Sequence, residues 1–193
     1  MKKLKIIKEK ALEEHIPIIM DDTLEVIDTY LKEMKPKRIL EIGTAVGYSA
    51  ICFSKYLAED GIIDTIERDE ERIAEAKENI KEMKLDSKIN IYEGDAVEIL
   101  PTLNNKYDAI FIDAAKGKYT FFLEQALRML DEKGIIFADN ILYKGYVLSD
   151  YNKHKQRTAV RNLREYIKQT TENIELETQI LEVGDGLAIT QKK

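Results

Sequence analysis

From residue 38 onward, apolar runs of strand length alternate with stretches of helical period, and few folds satisfy that alternation. Arg38–Ile42 reads as a strand and Ser49–Leu57 as a helix. Ile62–Glu67 is the next strand. A helix over Glu70–Met83 follows it, with Ile73, Ala76, Ile80 and Met83 at the three-to-four spacing of one helix face. Ile89–Glu93, Tyr107–Asp113 and Gly134–Asp139 are further strands, with a helix at Phe121–Leu130 before the last. Tyr107–Asp113 is apolar enough to be covered on both faces, as a central parallel strand is. Strands joined by helices imply right-handed crossovers, so a parallel sheet with helices on both faces is expected. The tail departs from this rule. A helix around Thr158–Thr170 precedes two strands, Ile174–Leu181 and Leu187–Gln191. Their short link, Glu182-Val183-Gly184-Asp185-Gly186, predicts an antiparallel hairpin. The reading is α/β: a mostly parallel, seven-stranded sheet ending in that hairpin.

The chain of 193 residues fits one domain around one core. Residues 1–35 read as a helical lead-in with Leu24, Ile27, Leu31 and Met34 on one face, 36–140 as the core, and 141–193 as a segment serving the substrate. No window approaches the roughly 18 uninterrupted apolar residues of a membrane span. The basic start, Met1-Lys2-Lys3-Leu4-Lys5, lacks the apolar core of a signal peptide, so a cytoplasmic protein with no membrane partner is expected. The single cysteine, Cys52, lies in an apolar run and reads as packing, since His15 and His154 sit in no recognisable motif with it.

Each strand ends in residues suited to a ligand. The first runs into Glu41-Ile42-Gly43-Thr44-Ala45-Val46-Gly47-Tyr48-Ser49, where glycines let the backbone approach a ligand and the next helix offers free N–H groups. Alone, that turn is equally an ordinary strand-to-helix connection. The second strand closes on Glu67, about 20 residues on, where a ribose diol would lie. The third ends at Gly94-Asp95-Ala96, and Asp95 is either an adenine partner or a plain helix N-cap. Three such ends point to a nucleoside, and the absence of a Gly-Lys-Ser/Thr motif points away from a triphosphate.

The fourth and fifth strands end at Asp113 and at Asp139-Asn140. If the strands are neighbours, two carboxylates and an amide form an all-oxygen set suited to Mg²⁺; otherwise they cap the helices that follow. No His or Cys lies near enough in sequence to favour zinc. Lys116, three residues past Asp113, is a surface lysine unless a cation is there to make it a general base.

In these residues the chain resembles the metal-dependent O-methyltransferases related to catechol and caffeoyl-CoA methyltransferases. The turn Glu41–Ser49, Glu67, Phe111–Tyr119 and Asp139-Asn140 carry the resemblance. It implies the Rossmann-like class I methyltransferase fold, with S-adenosyl-L-methionine as cofactor. The donor would be bound by the turn (Glu41, Gly43, Ser49), Glu67, Asp95 and Ala96, with Asp113 beside it and His15–Met20 closing over it through Met20. It also implies Mg²⁺ on Asp113, Asp139 and Asn140, with Lys116 and Asp113 as the catalytic residues. Relatives often form homodimers. Within the family the chain resembles the bacterial tRNA 5-hydroxyuridine methyltransferases, through His15-Ile16-Pro17-Ile18, Ile42–Ala50, Phe111–Gly117 and Val183–Ile189. That likeness implies methylation of the tRNA wobble base to 5-methoxyuridine. The small Ala114 and Ala115, where catechol enzymes carry aromatic residues, fit that substrate better than a clamped ring. The alternative is a small-molecule O-methyltransferase acting on catechols.

Charge distribution bears on the choice. Residues 141–170 hold seven Lys or Arg against two acids, so this segment is +5 in a chain of net −6. Lys144, Lys153, Lys155, Arg157, Arg161 and Arg164 are the candidate RNA-binding residues, and Lys168 extends the stripe. The competing reading is a helix docked through Val160, Leu163 and Ile167, with a solvated outer face.

Overall fold

The computed structural model describes residues 2–150 and 156–193. The chain forms two compact units, residues 1–103 and 104–193. In the first, α1 (Lys2–Glu13) and α2 (Asp21–Met34) precede β1 (Arg38–Ile42), α3 (Tyr48–Ser54), β2 (Ile62–Glu67), α4 (Glu70–Glu82), β3 (Ile89–Glu93) and the short α5 (Ala96–Ile99). The three strands lie in the order β3-β2-β1 and pair in parallel, with Ile42 beside Ile66 and Glu67 beside Glu93. All three therefore end on the same edge. α4 buries Ile73, Ala76 and Ile80, the face its spacing predicted, and Asp69 caps it by accepting the Arg72 N–H.

The helical lead-in consists of α1 and α2. His15 adopts a left-handed φ of 55°, and Pro17 follows before α2 starts at Asp21. Proline biases its predecessor away from the helical region, which with His15 breaks the run. Ile16 and Ile19 of the break are buried, so it is packed against the unit's core.

The second unit holds β4 (Tyr107–Ile112), α6 (Tyr119–Met129), β5 (Leu130–Ala138), α7 (Arg157–Thr171), β6 (Leu176–Leu181) and β7 (Leu187–Lys192), with strand order β4-β5-β7-β6. β4 and β5 are parallel, with Ile112 beside Ala138, so Asp113 and Asp139 both lie just past their strands' carboxyl ends. Residues 109–112 are all buried, as two apolar faces require. β6 and β7 form the expected antiparallel hairpin, and β7 runs antiparallel to β5. α7 buries Val160, Leu163, Tyr166 and Thr170. The sequence pointed to Ile167 in place of Tyr166; the phenol, one position earlier on the same stripe, takes the deeper place. Among the described residues no helix is long and apolar enough to cross a membrane.

The hairpin turn is strapped to the segment after β5. The N–H groups of Ile141 and Leu142 donate to the carbonyls of Gly186 and Asp185, at 3.0 and 2.9 Å. Gly186 has a φ of 90°, and a Cβ there would stand 2.3 Å from Leu142 Cγ. Gly186→Ala should therefore lower stability by about 1–3 kcal/mol, through overpacking and a strained left-handed alanine. A thermal melt indistinguishable from wild type would show that the strap yields freely.

Candidate functional site

The first unit builds a buried polar cluster at the end of β1. Glu41 is completely buried. Its carboxylate accepts hydrogen bonds from Ser49 Oγ and Thr65 Oγ1, both at 2.5 Å, and from Thr44 Oγ1 at 3.3 Å. The Thr44 and Thr65 hydroxyls also meet each other. Three hydroxyls from three elements thus share one carboxylate, a charge-assisted arrangement that fixes the turn's shape. Glu41 stands beneath the turn, where it holds Ser49 and Thr44 in place. Ser49 gives its only hydroxyl proton to Glu41.

The turn winds through left-handed backbone at Gly43 (φ 101°), Ala45 (φ 45°) and Gly47 (φ 81°). A Cβ on Gly47 would be 3.5 Å from Ala76, ordinary contact, so it is the positive φ that calls for glycine there. The Gly43 N–H donates to the Ile66 carbonyl, and the Ala45 N–H donates to Glu67 Oε2 at 2.9 Å. Glu67 Oε1 accepts from Arg68 and Asp69 N–H groups. Glu67 is therefore held at the turn by three backbone donors. Asp95 does what the simpler reading expected: it caps α5 through the Val97 N–H at 2.9 Å, and it pairs with Arg68 at 3.3 Å. Ala96 is the first residue of α5. Met20 precedes α2 with 54% of its surface exposed.

The second unit gathers the acids. Asn140 Nδ2 donates to Asp113 Oδ1 at 3.3 Å, and the Asn140 N–H donates to Asp139 Oδ1 at 2.7 Å. Lys116 Nζ stands 3.8 Å from Asp113 Oδ1, both side chains less than a quarter exposed. Asp139 is only 2% exposed. Burial, and then the charge of Asp113, push its carboxyl up to about 7. Burial likewise raises Asp113, against the opposing pull of Lys116. Among the described residues no three His, Cys, Asp or Glu side chains cluster as metal ligands; the set here is two carboxylates and an amide. Its chemistry fits an oxygen-preferring divalent ion. Asp139, desolvated beside the Asp113 charge, holds its proton more tightly than a free carboxyl, and turning the Asn140 amide over presents its oxygen beside Asp113.

Two further residues shape this set, and the sequence reading assigned them no part in it. Asp185, in the hairpin turn, accepts the Lys144 N–H at 2.5 Å and adds negative charge near Asp139. Tyr119, fully buried, donates its hydroxyl to the Asp139 carbonyl at 2.7 Å. Burial raises its pKa well above that of free tyrosine. A tyrosine in the Phe111–Tyr119 run was visible, but its partner across the strand end was not.

The candidate RNA-binding residues divide. Arg157 and Arg161 are exposed on α7, and Lys144 is exposed in the segment after Asn140. Lys153 and Lys155 lie outside the described residues, as does His154. Arg164 turns back onto its own unit, donating to the carbonyls of Val147 at 3.0 Å, Tyr146 at 3.2 Å and Ser149. Residues 146–149 belong to no strand, and the guanidinium supplies donors for their carbonyls. Arg164 is thereby committed to that segment.

A glycine turn with an acid on the next strand suits a nucleoside-bearing ligand, and two carboxylates with an amide suit an oxygen-preferring ion. The chain belongs to the O-methyltransferase family, whose model matches residues 1–193. A catechol O-methyltransferase of Niastella koreensis is 36% identical over 162 residues, covering 79% of this chain and 72% of that protein. A Staphylococcus aureus structure, provisionally described as a caffeoyl-CoA O-methyltransferase, superposes with a TM-score of 0.90. Its identity is 34%, and the match covers 98% of this chain and 92% of that one. A Bacillus cereus O-methyltransferase in complex with SAH shares the fold at a TM-score of 0.89 and 24% identity, over all of this chain and 91% of that one. The fold is the Rossmann-like class I methyltransferase fold, and the protein is a SAM-dependent O-methyltransferase of the catechol and caffeoyl-CoA type.

The Asp139 shift has a measurable consequence in metal-free protein. Below pH 3.8 the residue is protonated both folded and unfolded. Between there and about pH 7 only the folded state keeps the proton, so this group's contribution to stability falls as pH rises, then levels off. Asp139→Asn keeps the acceptor for the Asn140 N–H and removes the charge. In chelator, its melting temperature should gain on wild type progressively from pH 4 to 7. Parallel curves for the two proteins would contradict the buried-charge account.

Proposed function

We propose that the protein methylates one hydroxyl of a vicinal diol on an aromatic ring, using Mg²⁺ or another oxygen-preferring divalent ion at Asp113, Asp139 and Asn140. The observation that carries this reading is the paired, desolvated carboxylates with Lys116 3.8 Å from one of them. A diol suits it, because two adjacent oxygens can share one cation. The likeness to a catechol O-methyltransferase supports the same substrate class.

Bound there, the ion supplies Lewis acidity that makes a neighbouring hydroxyl more acidic. Lys116 is the group placed to take that proton, and Asp113 keeps the amine in position. Ser49, Glu67 and the backbone of the Gly43–Gly47 turn hold the donor, shaped from beneath by Glu41; Asp95, Ala96 and Met20 are proposed to complete its binding. The donor would supply an electrophilic methyl carbon; transfer would form an O–CH₃ bond as the CH₃–S bond breaks, the sulfonium leaving as a neutral thioether. Catalysis then rests on positioning and on stabilising the oxyanion.

The alternative acceptor, the wobble 5-hydroxyuridine of tRNA, has less behind it. Of the six basic residues read as its contacts, Arg164 is committed to backbone carbonyls, and the Niastella koreensis relative is described as a catechol enzyme.

The test is transfer from labelled S-adenosylmethionine to a panel of catechols and to 5-hydroxyuridine tRNA, with and without chelator. Methylated catechol, lost in EDTA and restored by Mg²⁺, is expected. Transfer to tRNA alone would overturn the substrate, and full activity in chelator would overturn the metal. Lys116→Ala should lower kcat about 10²–10⁴-fold, the range of a lost general base, with donor affinity unchanged; weakened donor binding would contradict its role.

A further inference from the structure

Tyr119 opens α6 six residues beyond Asp113, and no part of it reaches solvent. Its hydroxyl stands 2.7 Å from the Asp139 carbonyl and 3.3 Å from that of Ile112, so its one proton goes chiefly to Asp139. Both carbonyls belong to the strand ends that carry the acids. Asp139 is tied on its other side as well, since its N–H donates to Ile112 at 3.0 Å. The peptide groups before and after Asp139 are thus each fixed by a bond.

The second of those peptides matters most. The Asp139 carbonyl and the Asn140 N–H lie in one rigid plane. Holding the carbonyl toward Tyr119 aims the N–H the opposite way, and it meets Asp139 Oδ1 at 2.7 Å. The same plane sets the start of Asn140, which sits at a φ of 59°, a left-handed conformation that a non-glycine residue keeps when its surroundings hold it there. From that conformation its amide reaches Asp113. The phenol ring is seated independently, edge-on to Tyr166 at 5.7 Å and tilted against Phe122 at 6.3 Å.

We infer that Tyr119 is a positioning residue for the divalent cation: its hydroxyl holds the Asp139–Asn140 peptide in the orientation that brings both side chains together with Asp113. The inference rests on the metal reading proposed above. Tyr119 touches neither substrate nor ion, and it acts through the backbone of the ligands.

Chelator-treated full-length protein is titrated with Mn²⁺, and free ion is followed by its paramagnetic resonance signal. Donor binding is measured by calorimetry in parallel. Tyr119→Phe leaves the ring in its seat and removes the hydroxyl; Mn²⁺ affinity should fall about 10–100-fold, as for other losses of a group that orients a metal ligand, with donor affinity unchanged. Tyr166→Phe, which keeps the neighbouring ring and leaves the bond to Asp139 intact, should retain wild-type Mn²⁺ affinity. Wild-type Mn²⁺ affinity in Tyr119→Phe, or an equal loss in Tyr166→Phe, would overturn the positioning role and leave the metal reading standing. A wild-type protein that binds no Mn²⁺ would overturn both.

Discussion

Asp113 and Asp139 are two carboxylates set at the ends of adjacent parallel strands, where burial strips away the water that would separate their charges. Burial raises both carboxyls, and the charge of Asp113 pushes Asp139 further, up to about 7. Such a pair is costly in an empty site and well suited to a cation. The surrounding structure reads as the means of keeping the two together. The β4–β5 register brings their strands level, Tyr119 and the Ile112 carbonyl hold Asp139 on both sides, and the hairpin strap fixes the segment after Asn140. Lys116 supplies one positive charge at 3.8 Å.

The donor end of the fold uses the same device with different chemistry. A buried acid, Glu41, is satisfied by the hydroxyls of Ser49, Thr65 and Thr44, and the turn above it is locked to Glu67 through the Ala45 N–H. In both places a charged group under the strand ends organises the residues around it. Removing the Glu41 carboxylate would strand the hydroxyls of Ser49, Thr65 and Thr44 in a buried environment, which costs more than the bonds themselves contribute.

What the sequence made legible follows from local period. Strand ends at Ile42, Glu67 and Glu93 emerged because apolar runs stop there, and Asp113 and Asp139 were visible as acids closing such runs. Asp95 stayed ambiguous between cap and ligand, and the structure shows the cap. The rest depended on contacts between elements. Nothing local shows that Glu41 is met by Thr65 from another strand. Arg164 reads as part of a basic stripe until residues 146–149 fold back over α7 and claim its guanidinium. Tyr119 reads as one aromatic among several until β5 lies beside β4. A helical period also cannot show that His15 turns left-handed, so the break between the two lead-in helices was not legible.

The most direct test of the central claim is a crystal soaked with Mn²⁺ and measured at a wavelength where manganese scatters anomalously. A single anomalous peak within coordination distance of Asp113, Asp139 and Asn140, with the Asn140 amide oxygen turned toward it, is the outcome this account requires. No peak there, or a peak elsewhere with the Asp113 and Asp139 carboxylates still facing each other bare, would contradict it.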